Sequence, residues 1–331
     1  MKKKLLRRAL ALVSTAALCA VSVGMLAGCT TDYPEITITY TFNGVDYEVD
    51  YTLSREATPR TVQHFIDLAD AGYYDGTCIH DYSANFLYGG GYYFDDGELT
   101  EKDYFTEVKK IEEEKGGDYF EQSVFLNDTD AADNKGEGLY TVYGEMWDNG
   151  YDYTGSRGYS HTTGALVMYY GYTYAEEGNN SPYTSKVTIA RADGGAARED
   201  GKVYQQQPYL YNSATSLFYT FTGESRADLN KQYCVFGMAK NYAEQMTGEN
   251  GLLTAIDEYV GGLGADETFT MTSERFSVNS NDHELEEEGY SGLYSEKVRA
   301  FFSGAKSTRK VTYDTPTEMP IVIKSVKVNK Y

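Results

Sequence analysis

The first regular part of the chain shows strict alternation of apolar and polar positions. Apolar side chains recur at every second residue over residues 36–42 and again over residues 45–53. Asn43 and Gly44 separate the two runs, and this dipeptide favours a two-residue hairpin turn. The pattern therefore predicts a β-hairpin at the start of the folded part of the chain.

A helix is predicted after the hairpin. Thr58 is a good N-cap, Pro59 suits the first helical position, and Gly72 is typical of a helix end. One face of this helix is apolar, at Val62, Phe65, Ile66 and Ala69. A second helix is predicted over residues 251–260 and a closing strand over residues 320–328. Many strands with few helices predict a mainly β fold, a closed barrel capped by two helices.

Three polar, Gly-rich and Tyr-rich stretches interrupt this pattern, near residues 95–157, 171–211 and 261–319. Stretches of this length are rarely plain loops in a compact domain, so they are expected to carry structure of their own. Of the 33 tyrosines, 14 lie between Tyr88 and Tyr174. These tyrosines either form a recognition surface or fill strands of an exported β protein, and both interpretations remain open.

The beginning of the chain has the layout of an export signal. Five basic residues precede an apolar run that extends from about Ala9 to Leu26. The run ends in Leu-Ala-Gly-Cys, which resembles the lipobox of bacterial lipoproteins. That resemblance implies cleavage after residue 28, lipid on Cys29, and a short linker over residues 29–35. The protein would be exported and lipid-anchored to the outer face of the bacterial cytoplasmic membrane. An uncleaved anchor, or an ordinary signal with an incidental cysteine, are the alternatives.

Charge and cysteine content narrow the function classes. The chain has 29 Lys and Arg against 50 Asp and Glu, a net charge of −21. This balance argues against nucleic acid and against anionic lipid headgroups as electrostatic partners. With no zinc-ligand spacing and no phosphate-binding loop, no metal or cofactor is expected.

After loss of the signal, Cys78 and Cys234 are left as thiols. They form either one bridge or, as their apolar surroundings favour, two buried free thiols.

Five segments and the closing strand resemble the motifs of cyclophilins, in the same order. One segment reads Ile-His-Asp and continues into Asn-Phe-Leu-Tyr-Gly-Gly-Gly-Tyr, where the family has Phe-His-Arg and Gly-Phe-Met-x-Gln-Gly-Gly-Asp. Another, His-Thr-Thr-Gly-Ala-Leu-Val-Met, is similar to the family's His-x-x-Gly-x-Leu-Ser-Met strand. The resembling segments are residues 57–77, 79–92, 161–168, 212–219, 229–237 and 320–328.

The resemblance implies a closed eight-stranded antiparallel barrel with a helix over each open end. It would occupy residues 36–331, with the three Tyr-rich stretches as large loop insertions. The family catalyses rotation about the peptide bond before proline, a barrier of about 18–20 kcal/mol. It does so with an arginine that hydrogen-bonds toward the prolyl nitrogen, which is electrostatic catalysis. Proline-containing peptides or exported proteins would therefore be the partners.

The catalytic positions of the family are replaced in this chain. Asp81 stands at the position of the arginine, and Gly89 and Leu217 stand at the positions of two glutamines. A carboxylate accepts hydrogen bonds and cannot act as the arginine does. No catalytic residue is therefore assigned. Arg226 is considered as a substitute, although the sequence gives it little support.

The apolar pocket of the family is better preserved. The resemblance places five peptide-binding side chains there: Phe86, Leu87, Tyr219, Leu229 and Tyr233. The resulting expectation is a cyclophilin-type surface lipoprotein that keeps its peptide-binding groove and has weak or absent isomerase activity. The alternative is a non-catalytic binding module whose Tyr-rich insertions hold a peptide, a wall polymer or a protein partner.

Overall fold

The computed structural model of the protein describes most of the folded part of the chain. The described residues are 31–83, 85–95, 98–102, 104–128, 130–138, 140–146, 151, 158–169, 186–191, 203–208, 215–226, 229, 233–262, 270–278, 306–314 and 319–331. The predicted signal and the lipidation position Cys29 lie outside them.

The described residues form sixteen strands and four helices, which are named here in chain order. The strands are β1 (Glu35–Phe42), β2 (Val45–Leu53), β3 (Asp81–Ser83), β4 (Phe86–Gly89), β5 (Tyr92–Asp95), β6 (Glu98–Glu101), β7 (Val124–Asn127), β8 (Lys135–Gly138), β9 (Ala165–Met168), β10 (Lys186–Arg191), β11 (Val203–Pro208), β12 (Phe218–Phe221), β13 (Cys234–Ala239), β14 (Thr270–Val278), β15 (Lys306–Asp314) and β16 (Val322–Lys330). The helices are α1 (Pro59–Asp70), α2 (Tyr104–Lys115), α3 (Tyr242–Gln245) and α4 (Leu252–Gly262). The predicted hairpin, both predicted helices and the closing strand are confirmed.

The β1–β2 hairpin forms for the reason that the sequence suggests. Asn43 and Gly44 have φ angles of 49° and 74°, the left-handed values that a type I′ turn requires at both central positions. The two strands then pair residue for residue, from Phe42 opposite Val45 back to Glu35 opposite Thr52. The alternate apolar side chains consequently enter the core as one layer.

The main sheet contains eight antiparallel strands in the order β16, β1, β2, β13, β9, β12, β4, β3. Helix α1 buries its apolar face on the inner side of this sheet. Phe65 of α1 contacts the rings of Tyr74, Phe218 and Phe236, with centroid separations of 4.9, 5.5 and 5.0 Å. Helix α4 contributes the fully buried Leu252 and Ile256 to the same core.

The prediction of a closed barrel is wrong, because the sheet is open between its edge strands β3 and β16. Strand β3 has only three residues and pairs with β4. The chain just before it meets β16 at one isolated bridge, Cys78 with Val322. Ile79 N–H donates to the carbonyl of Ile321 at 2.8 Å, and Ile323 N–H donates to that of Thr77 at 2.7 Å. This contact does not continue into β3, so the sheet forms a half-barrel.

Two of the stretches predicted as insertions share one sheet. Strands β7 and β8 lie in the first stretch and β10 and β11 in the second, and the four pair in the order β11, β10, β7, β8. Val187 of β10 lies opposite Leu126 of β7. In the third stretch, β14 and β15 pair as a two-stranded antiparallel sheet that lies against β3 and β6. The described parts of these stretches therefore carry regular structure, as their length suggested.

Glu145, from the first of these stretches, caps helix α1. The N-cap residue Thr58 makes no side-chain cap hydrogen bond. Instead, the Glu145 carboxylate accepts hydrogen bonds from Thr61 N–H at 2.9 Å, Thr61 Oγ1 at 2.8 Å and Arg60 N–H at 3.3 Å. Burial raises the pKa of Glu145, and these hydrogen bonds oppose that rise. The carboxylate thus satisfies backbone donors that every helix start leaves unpaired.

Both remaining cysteines are buried free thiols, so the alternative of one bridge is wrong. Burial raises the pKa of the Cys78 thiol to about 12, which keeps it protonated and unreactive.

Within the described residues, no helix has the length and apolar character needed to cross a membrane.

Replacing Glu145 should destabilise the domain according to how many acceptors are lost. Glu145→Ala leaves the buried Thr61 N–H and hydroxyl without their acceptor, and the hydroxyl keeps only the bond that it accepts from the Cys234 thiol, so we expect a loss of about 3 kcal/mol in unfolding free energy. Glu145→Gln keeps one carbonyl acceptor and removes a desolvated charge, so we expect about 1 kcal/mol. Urea denaturation of both variants measures the difference. Equal losses would contradict the capping role.

Candidate functional site

The outer side of the main sheet carries a second apolar cluster, separate from the core. We call it the outer aromatic face. Its buried members lie on β9, β12 and β13, and partly buried aromatic side chains surround them. It consists of Ala165, Val167, Tyr219, Phe221 and Val235, with Phe86, Tyr88, Tyr159, Tyr169, Tyr233 and Met238 packed against them.

Strand alternation creates this face. Phe86 and Tyr88 of β4 lie on the outer side, whereas Leu87 between them belongs to the main core. In the neighbouring strand β12, Tyr219 and Phe221 share the outer side. Tyr219 lies directly opposite Tyr88, and Phe221 directly opposite Phe86. Directly opposed aromatic pairs on one sheet face stabilise each other.

Tyr219 is the centre of the outer aromatic face. Its ring meets Phe86 edge-on at 5.3 Å between centroids, Tyr88 at 5.1 Å and Tyr233 at 5.9 Å. Its hydroxyl shares a hydrogen bond of 2.8 Å with Nε2 of the buried His161. The side chain of Tyr219 is only 1% exposed, so it supports the face while its partly exposed neighbours form the surface.

Asp81 borders this face. It lies opposite Tyr88 in the β3–β4 pairing, and directly opposed residues project to the same side of a sheet. The side chain of Asp81 is half-buried. The structure therefore brings a carboxylate acceptor to the edge of the aromatic cluster, at the position where the resemblance implies a donor.

The positions of the two family glutamines lie on the inner side of the sheet. A Cβ atom on Gly89 would lie 2.9 Å from Cδ1 of Ile323 and 3.0 Å from Cδ1 of Ile79, both core side chains. Leu217 is 2% exposed and belongs to the main core. Neither position has room to present a polar side chain to the outer aromatic face.

The five predicted pocket residues are divided by the structure. Phe86, Tyr219 and Tyr233 come together on the outer aromatic face. Leu87 lies in the main core. Leu229 is half-buried in the turn before β13, where its carbonyl accepts from Tyr233 N–H at 3.1 Å.

Sequence reasoning missed several members of the face. Tyr88 and Phe221 follow Phe86 and Tyr219 at a spacing of two, which is the period of one strand face and could have revealed them. His161 supports the face from below through its hydrogen bond to the hydroxyl of Tyr219. Arg226, considered as a substitute arginine, is exposed, and its N–H donates to the carbonyl of His161 at 2.9 Å.

A polar cleft of about 720 Å³ lies elsewhere, between α1 and the β7–β8 region. Asp67 and Glu112 line it, and burial raises the pKa of Asp67 to about 7. None of the predicted pocket or catalytic positions lines this cleft, so its size does not make it the candidate site. In the described part of the chain, no group of three His, Cys, Asp or Glu residues could hold a metal ion.

Comparison with known proteins agrees with the resemblance in sequence. Residues 37–191 match the family model of cyclophilin-type peptidyl-prolyl cis-trans isomerases. This match identifies residues 37–191 as a cyclophilin-type domain. Six of the eleven members of the outer aromatic face lie within the matched residues, on β4 and β9 and beside β9, whereas the central Tyr219 lies beyond them.

Among solved structures, the chain is similar to the cyclophilin-type peptidyl-prolyl cis-trans isomerase of Cryptosporidium parvum. The identity is 13% and the TM-score 0.34, over 90% of this chain and 99% of that one. No curated protein sequence matches the chain.

Substituting the inward-facing Gly89 should destabilise the domain far more than substituting its outward-facing neighbour Tyr88. Gly89→Gln forces a polar side chain against Ile323 and Ile79, so we expect a loss of more than about 3 kcal/mol in unfolding free energy. Tyr88→Gln removes outer ring contacts only, and we expect about 1 kcal/mol. Thermal or urea unfolding compares the two. A Gly89→Gln variant as stable as Tyr88→Gln would refute the inward orientation.

Proposed function

We propose that this protein is a cyclophilin-type surface lipoprotein whose outer aromatic face binds proline-containing segments of peptides or exported proteins, with weak or no isomerase activity. The observation that carries the proposal is the contact of Phe86, Tyr88 and Tyr233 with one buried ring, that of Tyr219, beside Asp81. Rigid, partly exposed aromatic rings suit the flat apolar ring of proline.

The chemistry of Asp81 supports weak activity. Lowering the isomerisation barrier needs a donor where the rotating amide gains electron density. Asp81 can only accept hydrogen bonds when ionised. Gly89 and Leu217 add no polar group on the outer side, because their positions belong to the packed core. The aromatic rings that would contact proline are therefore retained, whereas positions 81, 89 and 217 supply no hydrogen-bond donor to the outer side.

The second candidate function is a non-catalytic binding module that uses the Tyr-rich insertions of the 36–331 domain to hold a peptide, a wall polymer or a protein partner. It is favoured by the sheet that β7, β8, β10 and β11 form together, because an ordered unit can present a binding surface. Tyr119 and Tyr140, in the first stretch, pack partly buried against the core and help to fix this unit to the domain.

The lipid anchor belongs to the same proposal. A signal over residues 1–28 and lipid on Cys29 would hold the domain at the outer face of the cytoplasmic membrane, where exported chains emerge. The Leu-Ala-Gly-Cys sequence supports this placement. Acyl chains contribute about 0.8 kcal/mol for each buried methylene.

A protease-coupled isomerisation assay on the purified protein tests the catalytic part. We expect a rate close to the uncatalysed background. Asp81→Arg should restore little, because one donor is added and the rest of the site is still incomplete. Prolyl isomerisation well above background would refute weak activity, and a large gain in Asp81→Arg would show that a single donor suffices.

Peptide binding tests the aromatic part independently of turnover. A labelled proline-containing peptide should bind more tightly than its Pro→Ala counterpart, measured by fluorescence anisotropy. Tyr88→Ala removes a partly exposed ring of the face, and we expect about a fivefold loss in affinity, equivalent to about 1 kcal/mol. Tyr331→Ala, at an exposed tyrosine outside this face, is the matched control. Equal affinity of wild type and Tyr88→Ala would favour the insertions as the binding surface instead.

A further inference from the structure

The predicted linker over residues 29–35 is fixed to the domain almost from its start. Thr31 N–H donates to the carbonyl of Tyr331 at 2.7 Å, so the two ends of the described chain are joined. Arg55 N–H donates to the carbonyl of Asp32 at 2.9 Å, and the Arg55 guanidinium donates to that of Thr31 at 2.7 Å. The chain is therefore bound to the body of the domain from residue 31 onward.

This attachment leaves a very short tether. Cys29 precedes Thr31 by two residues, and an extended chain spans about 3.5 Å per residue. A lipid on Cys29 would consequently hold the surface around Thr31 within roughly 7–10 Å of the lipid headgroups. The start of β1 and the end of β16 would face the membrane.

Two exposed aromatic side chains flank this point. Among the described residues, the large hydrophobic side chains that are exposed are Tyr33 at 40%, Val45 at 51% and Tyr331 at 46%. Tyr33 is two residues from Thr31, and Tyr331 is its direct backbone partner. The phenol of Tyr33 donates to Glu56 at 2.8 Å and that of Tyr331 to Asp70 at 2.9 Å, which holds both side chains in place.

The charges at this edge are locally compensated, although the whole chain carries −21. Lys240 forms a salt bridge of 2.7 Å with Glu35, the first residue of β1. The hydrogen bond from Lys240, its charge and that of Lys330 lower the pKa of Glu35. Arg55 lies against Thr31 as described. Lys240 and Arg55 thus offset the charges of Glu35 and Asp32, which reduces part of the repulsion from an anionic lipid surface, while Glu56 and Asp70 accept the hydrogen bonds of the two tyrosines.

We propose that Tyr33 and Tyr331 form a membrane-contact surface that places both rings at the level of the lipid headgroups. Tyrosine is enriched at this level of membranes because its ring is apolar and its hydroxyl polar. The inference rests on lipidation of Cys29, which is part of the proposed function. The partner is the lipid surface that carries the anchor.

This contact would orient the binding face. Strand β2 lies between β1 and β13, the nearest strand of the outer aromatic face, so the buried members of the face stand on strands other than those at the anchor. Tyr159, at the border of the face, is near enough to Tyr33 to contribute to the raised pKa of Tyr33. The turn of the β1–β2 hairpin lies at the far end of β1, about 25 Å from the membrane-contact surface for eight residues. Val45, beside that turn, would remain in water.

The test uses the lipidated full chain in phosphatidylcholine vesicles with brominated acyl chains, which quench nearby tryptophan. In a Trp147→Phe background, single variants Tyr33→Trp, Tyr331→Trp and Val45→Trp report from three exposed positions. We expect Tyr33→Trp and Tyr331→Trp to lose about half of their fluorescence. Val45→Trp, the matched exposed control, should lose less than about a tenth.

Two outcomes would overturn the inference, and they are distinguishable. If the protein carries lipid by mass spectrometry and floats with the vesicles, yet all three variants are quenched equally little, the membrane-contact surface is refuted and the lipoprotein assignment stands. If the full chain carries no lipid and behaves as a Cys29→Ser variant does, the assignment fails and the inference fails with it. Because all three substituted side chains are exposed, the variants should keep the wild-type melting temperature, which is the check on folding.

Discussion

The alternation of side chains across β4 and β12 is the constraint on which the site depends. Each strand must send one set of side chains into the core and the other set outward. Leu87 and Phe218 therefore help to close the core, while Tyr88 and Tyr219 build the outer aromatic face. Because of the same alternation, position 89 faces the interior, where a larger side chain would meet core atoms. Strand alternation thus explains both why aromatic rings form the face and why positions 89 and 217 contribute no polar side chain to it.

The first of the long stretches is part of the fold rather than an appendage, because buried polar contacts join it to α1. The hydroxyl of Tyr104 donates to the carbonyl of Tyr140 at 2.5 Å and lies 3.3 Å from Nε2 of His64. That nitrogen donates to the carbonyl of Thr215 at 2.7 Å, and burial lowers the pKa of His64 to about 4, so the ring is neutral. With Glu145 at the start of α1, these contacts bind the stretch to the helix. Removing one partner of such a contact costs more than forming it contributes.

Local features of the fold could be predicted from sequence, and features set by distant pairing could not. The Asn43-Gly44 turn depends on two adjacent residues, and its geometry follows from their identity. The inward position of Gly89 depends on which strands pair and in which register, information that a single strand does not contain. The cap from Glu145 joins positions more than eighty residues apart, and no local pattern marks it. The open edge of the sheet likewise follows from the shortness of β3, which alternation over three residues cannot reveal.

An aromatic face beside Asp81 would bind the ground state and the transition state of bond rotation about equally well. Aromatic rings contact a proline ring about equally in the ground state and in the twisted transition state, so they supply uniform binding, which improves affinity without speeding the bond rotation. A donor toward the prolyl nitrogen acts mainly in the transition state, where charge has shifted, and it is this contribution that a carboxylate cannot make. Exchanging the donor for Asp81 therefore removes the selective part of the interaction and leaves the uniform part. A face changed in this way would bind proline-containing chains without accelerating rotation about the bond before proline.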